Sequence, residues 1–164
     1  MAKRKKPSKQ RMKRRIDDAC RIYIKKLYND TCQTCGIHKN STPQESLDWS
    51  HYISRRHLIV RWDIRNSLPM CRSCHNQYGD GINSPMMNRV NEIWGEGTTE
   101  ELEQNARQCT SIKGTYLDLI DFRISLETYF KELSKLLDQG INPEECIASN
   151  SIYTNFERIN SEDN

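Results

Sequence analysis

Apolar positions fall into three regimes along the chain. From Ile16, with Ala19, Cys20, Tyr23, Ile24, Leu27 and Tyr28 following, they recur at intervals of three and four, which lays one apolar stripe along an amphipathic helix. "YNDTC" breaks that rhythm, and the chain turns into Cys32-Gln-Thr-Cys35-Gly36; residues 37–46 are polar and read as loop. "LDWSHYIS" mixes aromatic, β-branched and polar residues in rough alternation, as a strand does, while "RRHLIVRWD" fits either a second strand or a connecting loop. "NSLPMC" leads into Cys71 and Cys74, and a short helix is expected from His75, cut off by Gly79, Gly81 and Pro85. Past "WGEGTTEEL", where Thr98 or Thr99 can cap and acids fill the first turn, the pattern is helical again. Residues 112–137 carry Leu119, Phe122, Leu126, Tyr129, Leu133 and Leu136 in steps of three and four, which makes an apolar seam. Gly140 ends it, and Asn142-Pro143-Glu144-Glu145 reads as the start of a last short helix. There is no internal repeat.

Composition sharpens the picture. The 164 residues suffice for one ordinary domain with extensions, and a hydrophobic share of 35% against 29% charged implies a modest core that a metal staple would help. Apolar runs are far short of the ~20 residues that cross a bilayer. The basic N-terminus is followed by no apolar segment, so it is not a secretory signal. The expected compartment is the reducing cytoplasm, where seven cysteines serve as metal ligands or free thiols rather than disulfides. The net charge of +3 conceals a strong polarity: residues 1–15 carry +9, residues 16–91 carry +3 and residues 92–164 carry −9. We therefore expect a basic disordered arm over 1–15, a folded core over 16–91 and an acidic helical extension over 92–164. A basic front points to a polyanionic partner, although a solvated tail has the same composition.

Cys32-x-x-Cys35 and Cys71-x-x-Cys74 carry the most specific chemistry. Two thiolates two residues apart can sit on one turn and bind one tetrahedral ion, and two such turns complete the four-cysteine set that zinc prefers. A closed site of this kind braces a fold and does no chemistry. A redox pair would need neither the second pair nor the surrounding arginines, and iron–sulfur clusters use other spacings. Cys20, Cys109 and Cys146 have no such partner and are expected to be buried thiols.

Between the two pairs lies "SHYISRRHLIVRWDIRNSLPM". A histidine on a first strand, an asparagine before "LPxCxxCH" and a histidine after the second cysteine pair resemble the HNH endonucleases. "SHYISRR" with "RWDIRN" is similar in particular to phage recombination endonucleases of the NinG/Rap type. The resemblance covers roughly residues 30–80. It implies an α+β protein: a small zinc-braced ββα-metal core with an N-terminal helix and a C-terminal helical extension. Hydrolysing a phosphodiester requires an activated water, charge stabilisation on the phosphorus and a neutralised leaving oxygen. His51 suits the first task as general base, since neutral imidazole titrates near ~6.5. His75 can place a ring nitrogen on a catalytic Mg²⁺ or Mn²⁺. The family role carried over to Asn66 is to pin the loop and so orient the base. Arg55, Arg56, Arg61, Arg65 and Arg72 are candidate DNA contacts. Many family members place an aspartate or second histidine before the base; here that position is Ser50, so Asp48 and Asp63 are the substitute metal ligands to consider. His57 reads as partly buried or phosphate-facing, and His38 as a loop residue.

The expected activity is therefore metal-dependent cleavage of DNA. The NinG/Rap resemblance implies branched recombination intermediates, such as Holliday junctions or D-loops, with other recombination proteins as partners. No recognition-helix pattern appears, so shape is the expected basis of selection. A zinc-stabilised nucleic-acid-binding module without cleavage is the alternative, and a zinc adaptor between proteins is a third reading. Cutting a junction symmetrically needs two active sites, which makes the seam within 112–137 a candidate homodimer interface. The same seam could instead pack on the zinc core or on the helix of residues 16–28.

Overall fold

The computed structural model describes residues 7–39, 46–78, 85–108 and 119–141, together with Ser111 and Lys113. The short helix expected at residues 142–145, and Cys109 and Cys146, lie outside the described residues. Among these residues, five α-helices and one two-stranded sheet follow in the order α1 (Lys9–Leu27), β1 (Leu47–His51), β2 (Ser67–Cys71), α2 (Arg72–Tyr78), α3 (Pro85–Trp94), α4 (Thr98–Gln108) and α5 (Ile120–Asp138). None of the described helices is long and apolar enough to cross a membrane.

Helix α1 starts seven residues earlier than its stripe predicts, and residues 9–15, expected to be disordered, are helical. Ser8 caps it by accepting from the Arg11 backbone N–H at 3.3 Å. Met12, one turn before Ile16, extends the buried face and is fully buried. A lone methionine among lysines and arginines does not advertise an amphipathic turn. The face of Met12, Ile16, Ala19, Cys20, Tyr23 and Ile24 packs on Phe122, Leu126, Phe130 and Leu133 of α5, with Trp62 closing one side. Three polar contacts fix the direction: Arg123 donates to the Lys9 carbonyl, Arg15 pairs with Glu127, and Lys26 pairs with Asp138. Sequence order rises together along both helices, so they run parallel. The apolar seam is thus filled by α1 of the same chain. It is not the exposed dimer face considered above, and its first member, Leu119, stays exposed. Gly140, at φ +77, ends α5: its N–H reaches the Leu137 carbonyl and that of Ile141 reaches Leu136.

The second core is built around the sheet. β1 and β2 are antiparallel, with Leu47 opposite Cys71 and His51 opposite Ser67. Pro69 is tolerated in β2 because a two-stranded sheet leaves each strand one free edge; its carbonyl accepts from the Gln33 N–H at 2.9 Å. The segment "RRHLIVRWD" resolves as loop. Leu47, Tyr52, Val60, Leu68 and Met70 pack with Met86 and Val90 of α3 and Leu102 and Ala106 of α4. Helix α4, assigned by charge to the acidic extension, therefore belongs to the core of the sheet. Its first turn is capped by Asn91 of α3, which accepts from the Thr99 N–H at 3.0 Å, and not by Thr98 or Thr99.

Candidate active site and metal centre

The first cysteine pair sits on a tight turn closed by the Gly36 N–H donating to the Cys32 carbonyl, with Gly36 at φ +74. The second pair straddles the junction of β2 and α2. The four sulfurs lie within 4.8 Å of one another, and those of Cys35 and Cys71 are 3.7 Å apart. Four sulfurs at ~2.3 Å from one zinc, arranged as a tetrahedron, are separated by roughly 3.8 Å. Cys32, Cys35, Cys71 and Cys74 thus have the dimensions of a structural zinc site. Burial would raise Cys32, but backbone N–H groups of Cys35, Cys71 and Thr34 bring it down to about 7. Burial and the neighbouring sulfurs drive Cys74 upward, and burial also raises Cys35.

A cleft of about 360 Å³ is lined by Arg21, Asp48, Trp49, His51, Ser54, Arg55, Arg72 and His75. His75 follows the last zinc cysteine directly, so the knuckle sets the position of its helix. Its Nδ1 lies 2.8 Å from Asp48 Oδ2, which also accepts from Arg72 at 3.1 Å. With Nδ1–H donating to the carboxylate, the His75 lone pair is left at Nε2, as in metal-binding histidines oriented by a carboxylate. Burial opposes ionisation of Asp48, but the hydrogen bonds from His75 and Arg72 prevail and hold its pKa below the usual value. Among the described residues, His75 Nε2 and Asp48 Oδ1 take no hydrogen bond, so a nitrogen and an oxygen donor remain there for a divalent ion.

His51 ends β1 and is buried. Its Nε2–H donates to the Arg61 carbonyl at 3.1 Å, because a carbonyl can only accept. The basic lone pair is therefore at Nδ1. Trp49 flanks the ring, with centroids 4.2 Å apart. Burial, more than any charge, lowers the pKa of His51 to about 4, so the ring is neutral at pH 7.

Asn66 is fully buried and bonds the loop that follows His51 at three points. Its Oδ1 accepts from the Ile53 N–H at 2.7 Å, and its Nδ2 donates to the carbonyls of Ile53 at 3.1 Å and Val60 at 2.9 Å. Its own carbonyl accepts from the Tyr52 N–H. Both limbs of the loop are thereby held against the end of β1.

Three of the expected site residues lie elsewhere. Asp63 is buried, accepts from the Arg65 backbone N–H at 2.9 Å and pairs with the Arg65 guanidinium; it is a cap, not a cleft ligand. Arg65 forks between Asp63 and Glu101, joining the loop to α4. Arg61 is buried and pairs twice with Asp17 of α1, at 2.8 and 2.7 Å, while also donating to the Arg55 carbonyl. Neither arginine is placed to grip a ligand. Arg55 and Arg72 do line the cleft, and Arg56 is exposed beside it in sequence. Ser50 is buried and does not line the cleft, so the position before His51 supplies no metal donor. His57 is exposed, and His38 bridges to Thr31. Sequence reasoning missed Trp49, Ser54 and Arg21. Trp49 directly precedes "SHYISRR" and Ser54 lies within it, so both could have been included; nothing in the linear pattern ties Arg21, on a preceding helix, to the cleft.

Fold and site together define a class: a zinc-braced hairpin and helix that presents two histidines and several arginines to one cleft. The family model for the HNH endonuclease matches residues 32–81, a little under a third of the chain. No curated protein and no solved structure gave a match to the chain. The HNH match points to nucleic acid as the substrate and to nuclease chemistry in general.

Proposed function

We propose that the protein is a metal-dependent endonuclease that hydrolyses phosphodiester bonds in DNA at the cleft between β1 and α2. The observation that carries this reading is that His51 and His75, from different elements, line one cleft with Arg55 and Arg72. His51 Nδ1 takes the proton of the attacking water, and the Arg61 carbonyl holds the ring in the tautomer that leaves this atom free. Asn66 keeps the loop closed behind the base. Arg55 and Arg72 hold backbone phosphates by charge-assisted hydrogen bonds. His75, oriented by Asp48, is the ligand for the catalytic ion. Mg²⁺ or Mn²⁺ held there supplies Lewis-acid stabilisation of charge on the phosphate and the leaving 3′ oxygen.

The resemblance of "SHYISRR" and "RWDIRN" to NinG/Rap-type enzymes supports a narrower reading: branched recombination intermediates as substrate, in the cytoplasm of a phage-infected host. The test incubates purified protein with a four-way junction and with linear duplex, each with and without Mg²⁺ or Mn²⁺. Metal-dependent nicking that His51→Ala abolishes, at unchanged zinc content, is the expected result. Binding with no nicking under any metal makes the protein a binding module. Equal cleavage of both substrates removes the branched preference alone.

A further inference from the structure

Helix α1 lies outside the segment matched to the HNH endonuclease, yet it supplies Arg21 to the wall of the cleft. The Arg21 side chain is about half exposed, and its partner is Asp18 on its own helix, an exposed pair three residues away at 3.0 Å. Such pairs hold a side chain weakly and exchange readily for a stronger anion. Lys25 lies one turn after Arg21 on the same face of the helix. Burial lowers its pKa first and the charges of Arg21 and Lys39 lower it further, while Asp30 and Asp48 act in the opposite sense. Asp48 is itself paired with His75 and Arg72, and Asp30 with Lys39. Arg21 is therefore a cation at the cleft wall held only by an exposed pair.

We propose that α1 is a rail for the nucleic-acid backbone, with Arg21 gripping a phosphate next to the one in the cleft and Lys25, one turn on along the same face, gripping its neighbour. The inference rests on the nuclease reading and adds a binding element that the HNH segment does not contain. One helical turn spans about 5.4 Å, within reach of neighbouring phosphates on one strand. Contacts of this kind position the substrate and carry no sequence information.

The test measures binding of a fluorescent duplex and a four-way junction without a divalent cation, between 50 and 200 mM salt. Wild type is compared with Arg21→Ala and Lys25→Gln. Arg21→Ala should weaken binding about five- to tenfold and make the slope of log K against log salt shallower by roughly 0.9, one phosphate contact. Lys25→Gln should reduce the slope similarly with a smaller loss of affinity. Melting temperature and zinc content should not move, since neither side chain is part of a core. Wild-type binding with unaltered slopes in both variants overturns the rail and leaves the nuclease reading standing. Wild-type protein that binds neither substrate at any salt overturns both.

Discussion

A histidine can serve as a base only where one ring nitrogen keeps its lone pair and the ring cannot turn. His51 meets both conditions through the Arg61 carbonyl and the Trp49 ring. The cost appears in its titration. Burial chiefly lowers the folded-state pKa to about 4 from the ordinary 6.5. Between those pH values the unfolded chain takes a proton that the folded chain refuses. The stability tied to neutral His51 is therefore intact above about pH 6.5 and drains as pH falls toward about 4, by roughly 3 kcal/mol in all. Urea unfolding at pH 7 and at pH 4.5 checks this. Wild type should lose more stability across that interval than His51→Gln, and equal losses would sink the assignment. Asn66 offers a second test at this scale. Asn66→Ala leaves a buried N–H and two carbonyls without partners, each costing about 1–3 kcal/mol. We expect at least 3 kcal/mol of destabilisation, with cleavage lost because the loop behind the base opens.

At the scale of elements, periodicity showed that a face was covered but not by what. The stripe of α1 and the seam of α5 are both plain in sequence, and each is the other's partner. A dimer interface and an intramolecular helix pair require the same residues. Phe130→Ala separates them: it should cost about 3–5 kcal/mol of chain stability, as truncation of a fully buried aromatic does. Sedimentation should show the same mass before and after. A halved mass with intact stability would restore the dimer seam. Charge was less legible than periodicity. Arg61 and Arg65 look like phosphate contacts because sequence displays a guanidinium without its partner. Asp17, forty-four positions before Arg61, and Glu101, thirty-six after Arg65, become neighbours only through tertiary packing. The four-cysteine cluster was legible for the opposite reason, since spacing within a turn is a local property. Asp48 and Asp63 could not be ranked from sequence. Strand register brings Asp48 to His75, and a tight turn keeps Asp63 for its own backbone.

At the scale of the whole molecule the described residues form two cores, and the clustered cysteines belong to one of them. Cys32, Cys71 and Cys74 are part of the core formed by the sheet, α3 and α4, whereas the α1–α5 core contains no zinc ligand. The cores meet where Tyr28 and Ile59 pack against both, and where Arg61 joins α1 to the loop bearing Arg55. Removing zinc should therefore act unevenly. Four sulfurs without their cation repel as they ionise, the β2–α2 junction loosens, and His75 loses its place beside Asp48. The parallel helix pair keeps its apolar contacts and its polar links from Lys9 to Asp138. Hydrogen exchange on protein stripped with a strong chelator reads both regions at once. Amides of residues 47–78 should lose protection while those of α1 and α5 keep most of theirs, and cleavage should vanish and return with one equivalent of zinc. Cys35→Ser should reproduce the stripped pattern, since Cys35 is the exposed ligand and its loss removes a zinc bond without opening a hydrophobic cavity. Uniform protection in both forms would mean the four thiols hold no structural ion, and collapse of α1 and α5 along with the sheet would mean the two cores fold as one.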